Sequence, residues 1–342
     1  MKARNRSRLP SPSLRPGFTL VELLVVTTII AVLVSLVAGS IVGVINGQKV
    51  SNTEQTIIRL NGALRQQWDE VVKQAKSELP PPAVLTLAGG DPRRAQVIWV
   101  KLRLRQEFPQ NFKEARQPHL DNTGKSNPYV SATTLGGKYL TLPILDNFAT
   151  PPTEIESSVC LLMALSRQRG GARLNVDDMG SSAVAVSKWV DTQGQPLRQF
   201  VDAWSQPIRF TRWRVTQTST KVPSSFLILE VPPLAIYQEL DSNNPAQSGP
   251  NTKFRDPLDP EGLLLQTAWY NQPSPLTGKP LGQDFELLVH PISLTNQPQP
   301  PYYMAPIIWS IGPDGKPNIN ESSPTFGDEI YSFRLRTGAR GD

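Results

Sequence analysis

The sequence predicts an α+β protein: one long N-terminal helix, part transmembrane segment and part stalk, packed on a globular head with an antiparallel sheet. Three observations carry that expectation. Residues 18–45 form a nearly uncharged apolar run, and apolar residues then recur at helical spacing as far as Ala75. Beyond Pro80-Pro81-Pro82 the chain turns proline-rich, with short alternating segments. A helix followed by strands points to the α+β layer arrangement. The 33 prolines, about double the usual share of roughly 5%, fall mostly outside the N-terminal third and suit strands and loops better than a helical bundle.

The leader, residues 1–17, carries Lys2, Arg4, Arg6, Arg8 and Arg15 and no acidic residue. The whole chain has 35 basic and 29 acidic residues, a net of +6; without the leader 30 basic residues face 29 acidic ones. The basic balance thus belongs to a targeting segment, and the remainder offers no electrostatic footprint for nucleic acid. Cys160 is the single cysteine, which excludes an intrachain disulfide and a cysteine-based metal site. Its neighbours Val159, Leu161 and Leu162 suit a small buried residue.

Residues 18–45 contain one charge, Glu22. The run exceeds the about 20 apolar residues needed to cross a hydrocarbon core, and the basic flank ahead of it predicts a cytoplasmic N-terminus. It is too long for a secretory signal core of about 7–15 residues. A plain signal anchor fits the length but leaves Glu22 unexplained, because a carboxylate in lipid costs about 2.5–3.5 kcal/mol.

The string Gly17-Phe18-Thr19-Leu20-Val21-Glu22 supplies the missing partner. With its basic leader and long apolar helix it resembles the processing site of type IV prepilins and type II secretion pseudopilins. The resemblance implies cleavage after Gly17 by a prepilin peptidase and methylation of the new amine on Phe18. Glu22 would then pair with the charged N-terminus of a neighbouring subunit on assembly, so that each charge neutralises the other. It also implies partners: other pilin-like subunits and an inner-membrane assembly platform.

Past residues 18–47, the transmembrane and assembly segment, an amphipathic stalk is expected over 48–79. Val50, Ile57, Leu64, Trp68, Val71 and Ala75 form its apolar stripe, and Ile58, Leu60 and Val72 widen it. Pro80-Pro81-Pro82 ends the helix. Gly39, Gly43 and Gly47 weaken the middle by roughly 1 kcal/mol each relative to Ala, giving either a segment that melts on assembly or close packing through small residues.

The head occupies 80–342. Alternation over Gln96–Arg105 reads as a strand with a cationic face. Residues 153–168 read as an amphipathic helix opening on Thr153 and Glu156 in capping-box spacing and closed by Arg169-Gly170-Gly171. Residues Val201 to Phe210, with Asp202, Trp204, Ser205 and Pro207, are similar to the Asp-x-Trp-Gly-x-Pro segment of major pseudopilins, with Ser205 in place of the glycine. Ile308 to Gly315, followed by Gly327 to Ile330, is similar to their Ser-x-Gly-x-Asp-Gly and downstream acidic pair. In that family the loop can hold a structural calcium ion. The resemblance makes Asp314, Asp328 and Glu329 the ligands here; Asp314-Gly315 is equally a common hairpin-turn pair.

Between these segments, an insertion of about 211–300 is roughly a second lobe in size. It holds strand-like stretches at Phe226–Val231 and Phe285–Val289 and a polar loop at Asp241–Pro260. No catalytic set emerges. His119 and His290 fit no zinc pattern, Gly124-Lys125-Ser126 lacks the rest of a phosphate-binding loop and reads as a turn, and no Gly-x-Ser-x-Gly elbow occurs. Trp269, Tyr270, Tyr302 and Tyr303 are aromatics with core packing as the default. No enzyme activity is expected. The expected function is that of a pseudopilin-like filament subunit of a type II secretion or related pilus system, single-pass in a bacterial inner membrane with its head in the periplasm. The alternatives are a pilin-anchored periplasmic ligand-binding module and a minor type IV pilin for adhesion or DNA uptake.

Overall fold

The structure, a computed structural model, describes residues 19–121, 123–143, 154–171, 173–180, 182–213, 256–289, 304–315, 330–332, 335–336 and 339–340. It is α+β. Helix α1 spans Leu20–Ser77, within a residue or two of the expected bounds. The chain divides into two compact units, Met1–Lys49 and Val50–Asp342. In the first, the large apolar side chains of α1 from Leu20 to Leu36 are each 46% to 81% exposed. Among the described residues no helix is long and apolar enough to cross a membrane; the side chains of 37–42, within the expected span, lie outside them.

In the second unit, the stripe read from the sequence is the core face of α1. Ile57, Leu60, Leu64, Trp68, Val71 and Ala75 are all buried, and each large aliphatic among them contributes roughly 1.5–3 kcal/mol. Past Ser77 the chain enters α2 (Pro82–Leu87), with Pro82 in its first turn where no amide donor is needed.

Helix α3 (Pro92–Glu107) corrects the strand expected over Gln96–Arg105. Asp91 caps it, accepting from the Arg93 and Arg94 amides at 2.9 and 3.3 Å, and Pro92 follows the cap. Its buried residues Ala95, Ile98, Trp99, Leu102 and Arg105 are spaced as one helical stripe. The alternation misled because Lys101 and Arg105, which look like a solvated face, are buried against carboxylates. Helix α4 (Phe112–Arg116) follows, capped by Asn111.

Helix α5 (Glu154–Leu165) bears out the second expected helix; Thr153 of the expected capping box lies outside the described residues. Two buried serines of α5 clip it to the sheet. The Ser158 hydroxyl donates to the Phe200 carbonyl at 2.8 Å, while that of Ser157 donates to the Phe210 carbonyl and accepts from its amide, both at 2.7 Å.

All strands pair antiparallel, in a two-stranded and a three-stranded sheet and a short ribbon of Leu335–Arg336 with Ala339–Arg340. β1 (Val184–Val190) pairs with β2 (Pro196–Phe200), and β3 (Arg209–Trp213) pairs with β4 (Met304–Ser310), which pairs with β5 (Ile330–Tyr331). A bridge between Val201 and Pro207, with the Ile208 amide donating to the Phe200 carbonyl at 3.0 Å, carries the pairing from β2 to β3. Register places Phe210 opposite Ile308 and Arg209 opposite Trp309. Phe200, Ile208, Phe210, Ile308 and Ile330 enter one core with the α1 stripe, Ile98 and Leu102 of α3, and Leu161 and Leu165 of α5. On the other side Ile307, Trp309, Ile311 and Tyr331 form their own cluster.

Residues 256–289, inside the expected insertion, pack on α2 and α3. Trp269 Nε1 donates to the Leu87 carbonyl at 2.9 Å, Arg94 Nε to that of Leu263 at 3.0 Å, and Lys101 pairs with Asp256 at 2.5 Å. The strand expected at Phe285–Val289 is instead a helix, Leu281–Val289, whose Leu281, Phe285 and Leu288 share one face and enter the same core. A five-residue apolar window does not separate the two periods. The stretches Phe226–Val231 and 241–255 lie outside the described residues.

Candidate functional site

Three places carry the candidate residues: the start of α1, the turn between β2 and β3, and the joint between α1 and the head. At the first, Thr19 and Glu22 form a capping box. The Thr19 amide and hydroxyl both donate to Glu22 Oε2 at 2.9 Å, and the Glu22 amide donates to Thr19 Oγ1 at 3.2 Å. Glu22 is therefore also the residue that starts the helix, with its negative charge at the positive end of the dipole. Thr-x-x-Glu ahead of an apolar run carried that signal, and assembly pairing alone did not exhaust it. Gly17 and Phe18 lie outside the described residues. Further along, Thr27 and Thr28 donate to the Leu24 carbonyl at 3.0 and 2.8 Å and Ser35 to that of Val32 at 2.9 Å. Hydroxyls satisfied within the helix suit an apolar surrounding.

At the second place, Asp202 organises the turn between β2 and β3. Its Oδ1 accepts from the Trp204 and Gln206 amides, both at 2.9 Å, while its Oδ2 accepts from the Ser310 hydroxyl at 2.6 Å. Ser310 is fully buried and its oxygen accepts from the Gly312 amide at 3.1 Å. The two segments that resemble pseudopilins, already paired as β3 and β4, are thus joined by a carboxylate–hydroxyl bond as well. Ser205 has φ +65°, the left-handed conformation that the glycine of the resembling motif would take without strain. The Ala203 amide donates to Thr53 Oγ1 of α1 at 3.1 Å, pinning the turn to the stalk; nothing in the spacing of Thr53 announced this.

At the third, Phe108 stacks on Trp68 of α1 with centroids 5.3 Å apart, and the Arg169 guanidinium lies 4.9 Å over the Phe108 ring. Arg169 donates to Gln67 Oε1 and to the Ala164 carbonyl, each at 2.5 Å, and to Glu107 Oε2 at 3.0 Å. Lys138 pairs with the other Glu107 oxygen. Burial alone would raise the Glu107 carboxyl, but Lys138 and Arg169 outweigh it and hold the group below the ordinary carboxylate range. Deeper in, Glu114 receives Arg212 at 2.5 and 2.9 Å, Arg105 at 2.8 Å and the Gln110 amide at 2.7 Å. Burial works against ionised Glu114 as well, and Arg212 and Arg105 prevail, so its carboxyl also sits below the ordinary range. These buried ions hold α3, α4 and β3 together.

Of the expected calcium ligands, Asp314 lies in the turn Pro313–Gly315, and Asp328 and Glu329 are outside the described residues. Among the described residues no cluster of three or more His, Cys, Asp or Glu stands ready for a metal ion. Gly124-Lys125-Ser126 is part of a turn closed on Asp121, whose Oδ1 accepts from the Thr123 and Lys125 amides at 2.9 Å. His119 lies in that loop region, and His290, Tyr302 and Tyr303 are outside the described residues. Trp269 is core, as expected. Cys160 is buried in α5, and burial pushes its thiol well above the ordinary range, which makes it unreactive.

No curated protein and no solved structure matches the chain. Residues 13–38 match the family model described as the prokaryotic N-terminal methylation motif, which is typical of membrane-anchored pilins. That match covers the Gly17-Phe18 junction, the Thr19–Glu22 cap and the start of the apolar helix: the N-terminus is a type IV pilin-like prepilin segment.

Proposed function

We propose that this chain is a pseudopilin-like filament subunit of a type II secretion or related type IV pilus-like system. The methylation motif at residues 13–38 carries the reading. A peptidase cuts after Gly17, Phe18 becomes the methylated N-terminus, and residues 18–47 anchor the chain in the inner membrane with the head in the periplasm. Assembly then proceeds by lateral packing of the apolar helices, with Glu22 taking the amine of the next subunit. The exposed apolar side chains of Leu20–Leu36 and the internally satisfied hydroxyls support that packing. The Asp202–Ser310 junction, which unites both head segments resembling major pseudopilins, favours the secretion side of the proposal. Calcium held by Asp314, Asp328 and Glu329 belongs to the same proposal and rests on the sequence resemblance alone.

The test is intact mass and N-terminal sequencing of the chain expressed with a prepilin peptidase, followed by assembly of Glu22→Ala beside the wild type. A mature chain beginning at N-methyl Phe18, and failure of Glu22→Ala to assemble, are expected. An uncut chain, or a Glu22→Ala filament indistinguishable from wild type, overturns the reading. Glu22→Gln separates the two roles of this residue, because the amide keeps an acceptor for the cap but loses the charge.

A further inference from the structure

Where the end of α1 meets the segment after α5, a cleft of about 320 Å³ opens beside the Arg169 joint. Its charged lining is Lys138, Arg167 and Arg169 against Glu70 and Glu107, a surplus of one positive charge. Glu107 is already taken up by Arg169 at 3.0 Å and by Lys138, so it does not quench the remaining cation. That cation is Arg167. It is exposed, lies 4.9 Å over the Tyr139 ring and donates one NH2 hydrogen to the Lys138 carbonyl at 3.1 Å. Stacking and that single bond orient the guanidinium and leave donors of its fork for a ligand. The opposite wall is Glu70, which makes a loose, exposed ion pair with Lys73 at 4.0 Å. Gly170 sits against Glu70 so closely that a Cβ there would meet the carboxylate at about 2.5 Å. A glycine at this position keeps that wall of the cleft open.

We infer that this cleft binds a single carboxylate group, with Arg167 as the bidentate partner and Lys138 as the second donor. The lining explains the preference: a surplus of one positive charge matches a monoanion, and the Glu70 wall disfavours the doubly charged phosphate. The surroundings of Lys138 suit this role. Burial, with Arg103 and Arg167 nearby, pulls its ammonium below the ordinary lysine range in spite of Glu107, and an added carboxylate would raise it again. The carboxylate has two possible sources, a free small acid and an acidic side chain of a protein segment.

The test is calorimetric titration of the full chain in detergent with acetate, with the peptide acetyl-Gly-Glu-Gly-amide, and with its Gln counterpart. Saturable binding of acetate or the Glu peptide, with a Kd of about 1 mM or tighter, is expected, and none of the Gln peptide. Arg167→Gln should weaken binding about tenfold or more, the value of one charge-assisted bond. Glu70→Gln should tighten it about two- to fivefold by removing a like charge, a gain that damage to the fold would not produce. Peptide binding well above that of acetate assigns a protein segment as the source; equal binding assigns a free acid. No saturable binding by either probe, equal binding of the Gln peptide, or an Arg167→Gln chain that binds like wild type while melting like wild type overturns the inference.

Discussion

Replacing Glu114 by Gln tests the idea that buried ions, rather than the helix stripe alone, hold the head together. The amide preserves the volume and removes the charge. Arg212 is 0% exposed and Arg105 is 5% exposed, so the variant leaves two guanidinium groups in the interior without their counter-ion. Breaking a buried pair in this way costs about 3–5 kcal/mol, a large part of the roughly 5–15 kcal/mol that stabilises a typical domain. At about 2–4 °C per kcal/mol the melting temperature falls by roughly 6–20 °C. The internal control is the surface pair Arg198–Asp177 at 3.3 Å, whose side chains are 49% and 79% exposed. Asp177→Asn should cost under about 0.5 kcal/mol. Circular dichroism melts of the detergent-solubilised chain at neutral pH measure both. Acid adds a second readout with a defined sign. Glu114 and Glu107 are both held below the ordinary carboxylate range, so their stabilisation is complete above the unfolded value of about 4.3 and is lost as pH falls through the folded values. Glu286, which burial raises despite the Tyr270 hydrogen bond, acts in the opposite sense, and the loss therefore sets in below about pH 4.3 rather than above it. Glu114→Gln should flatten that acid limb. A Glu114→Gln chain that melts like Asp177→Asn and keeps the wild-type acid profile refutes the reasoning.

Ser205→Gly should stabilise the chain. Relief of the left-handed strain is worth about 1–2 kcal/mol and the added freedom of glycine in the unfolded state removes about 0.5–1 kcal/mol. A net gain near 0.5–1 kcal/mol, seen as a rise of about 2 °C in the melting temperature, is the expected result, and a fall would mean that the Ser205 side chain contributes a contact of its own. Calcium is tested by melting the same chain with the ion and with a chelator; a stabilisation that disappears in Asp314→Asn is expected, and no shift removes the metal from the proposal.

Much of the architecture was legible because it rests on local physics. An apolar run of this length with one carboxylate near its start, a helical stripe from Val50 to Ala75 and a triple proline leave few alternatives to a single long helix, and the structure has it from Leu20 to Ser77. The Thr19–Glu22 cap is legible too, as four residues in capping spacing, beside the assembly role that Glu22 suggests. Ser205 stood out as a departure from a glycine, and its φ of +65° shows why that position asks for one.

What the tertiary structure decided lies in contacts between residues far apart in the chain. Gln96–Arg105 alternates like a strand only while Lys101 and Arg105 are counted as solvent-facing. Asp256 and Glu114, supplied from 155 and 9 positions away, make them interior residues and α3 a helix. The meeting of Asp202 with Ser310, across 108 positions, is likewise invisible to spacing. The sequence by itself determined the cap, the stalk and its core face, because each depends on neighbours within a few turns. The tertiary structure alone decided which charges are buried, since burying an ion requires a partner whose position only the folded chain sets.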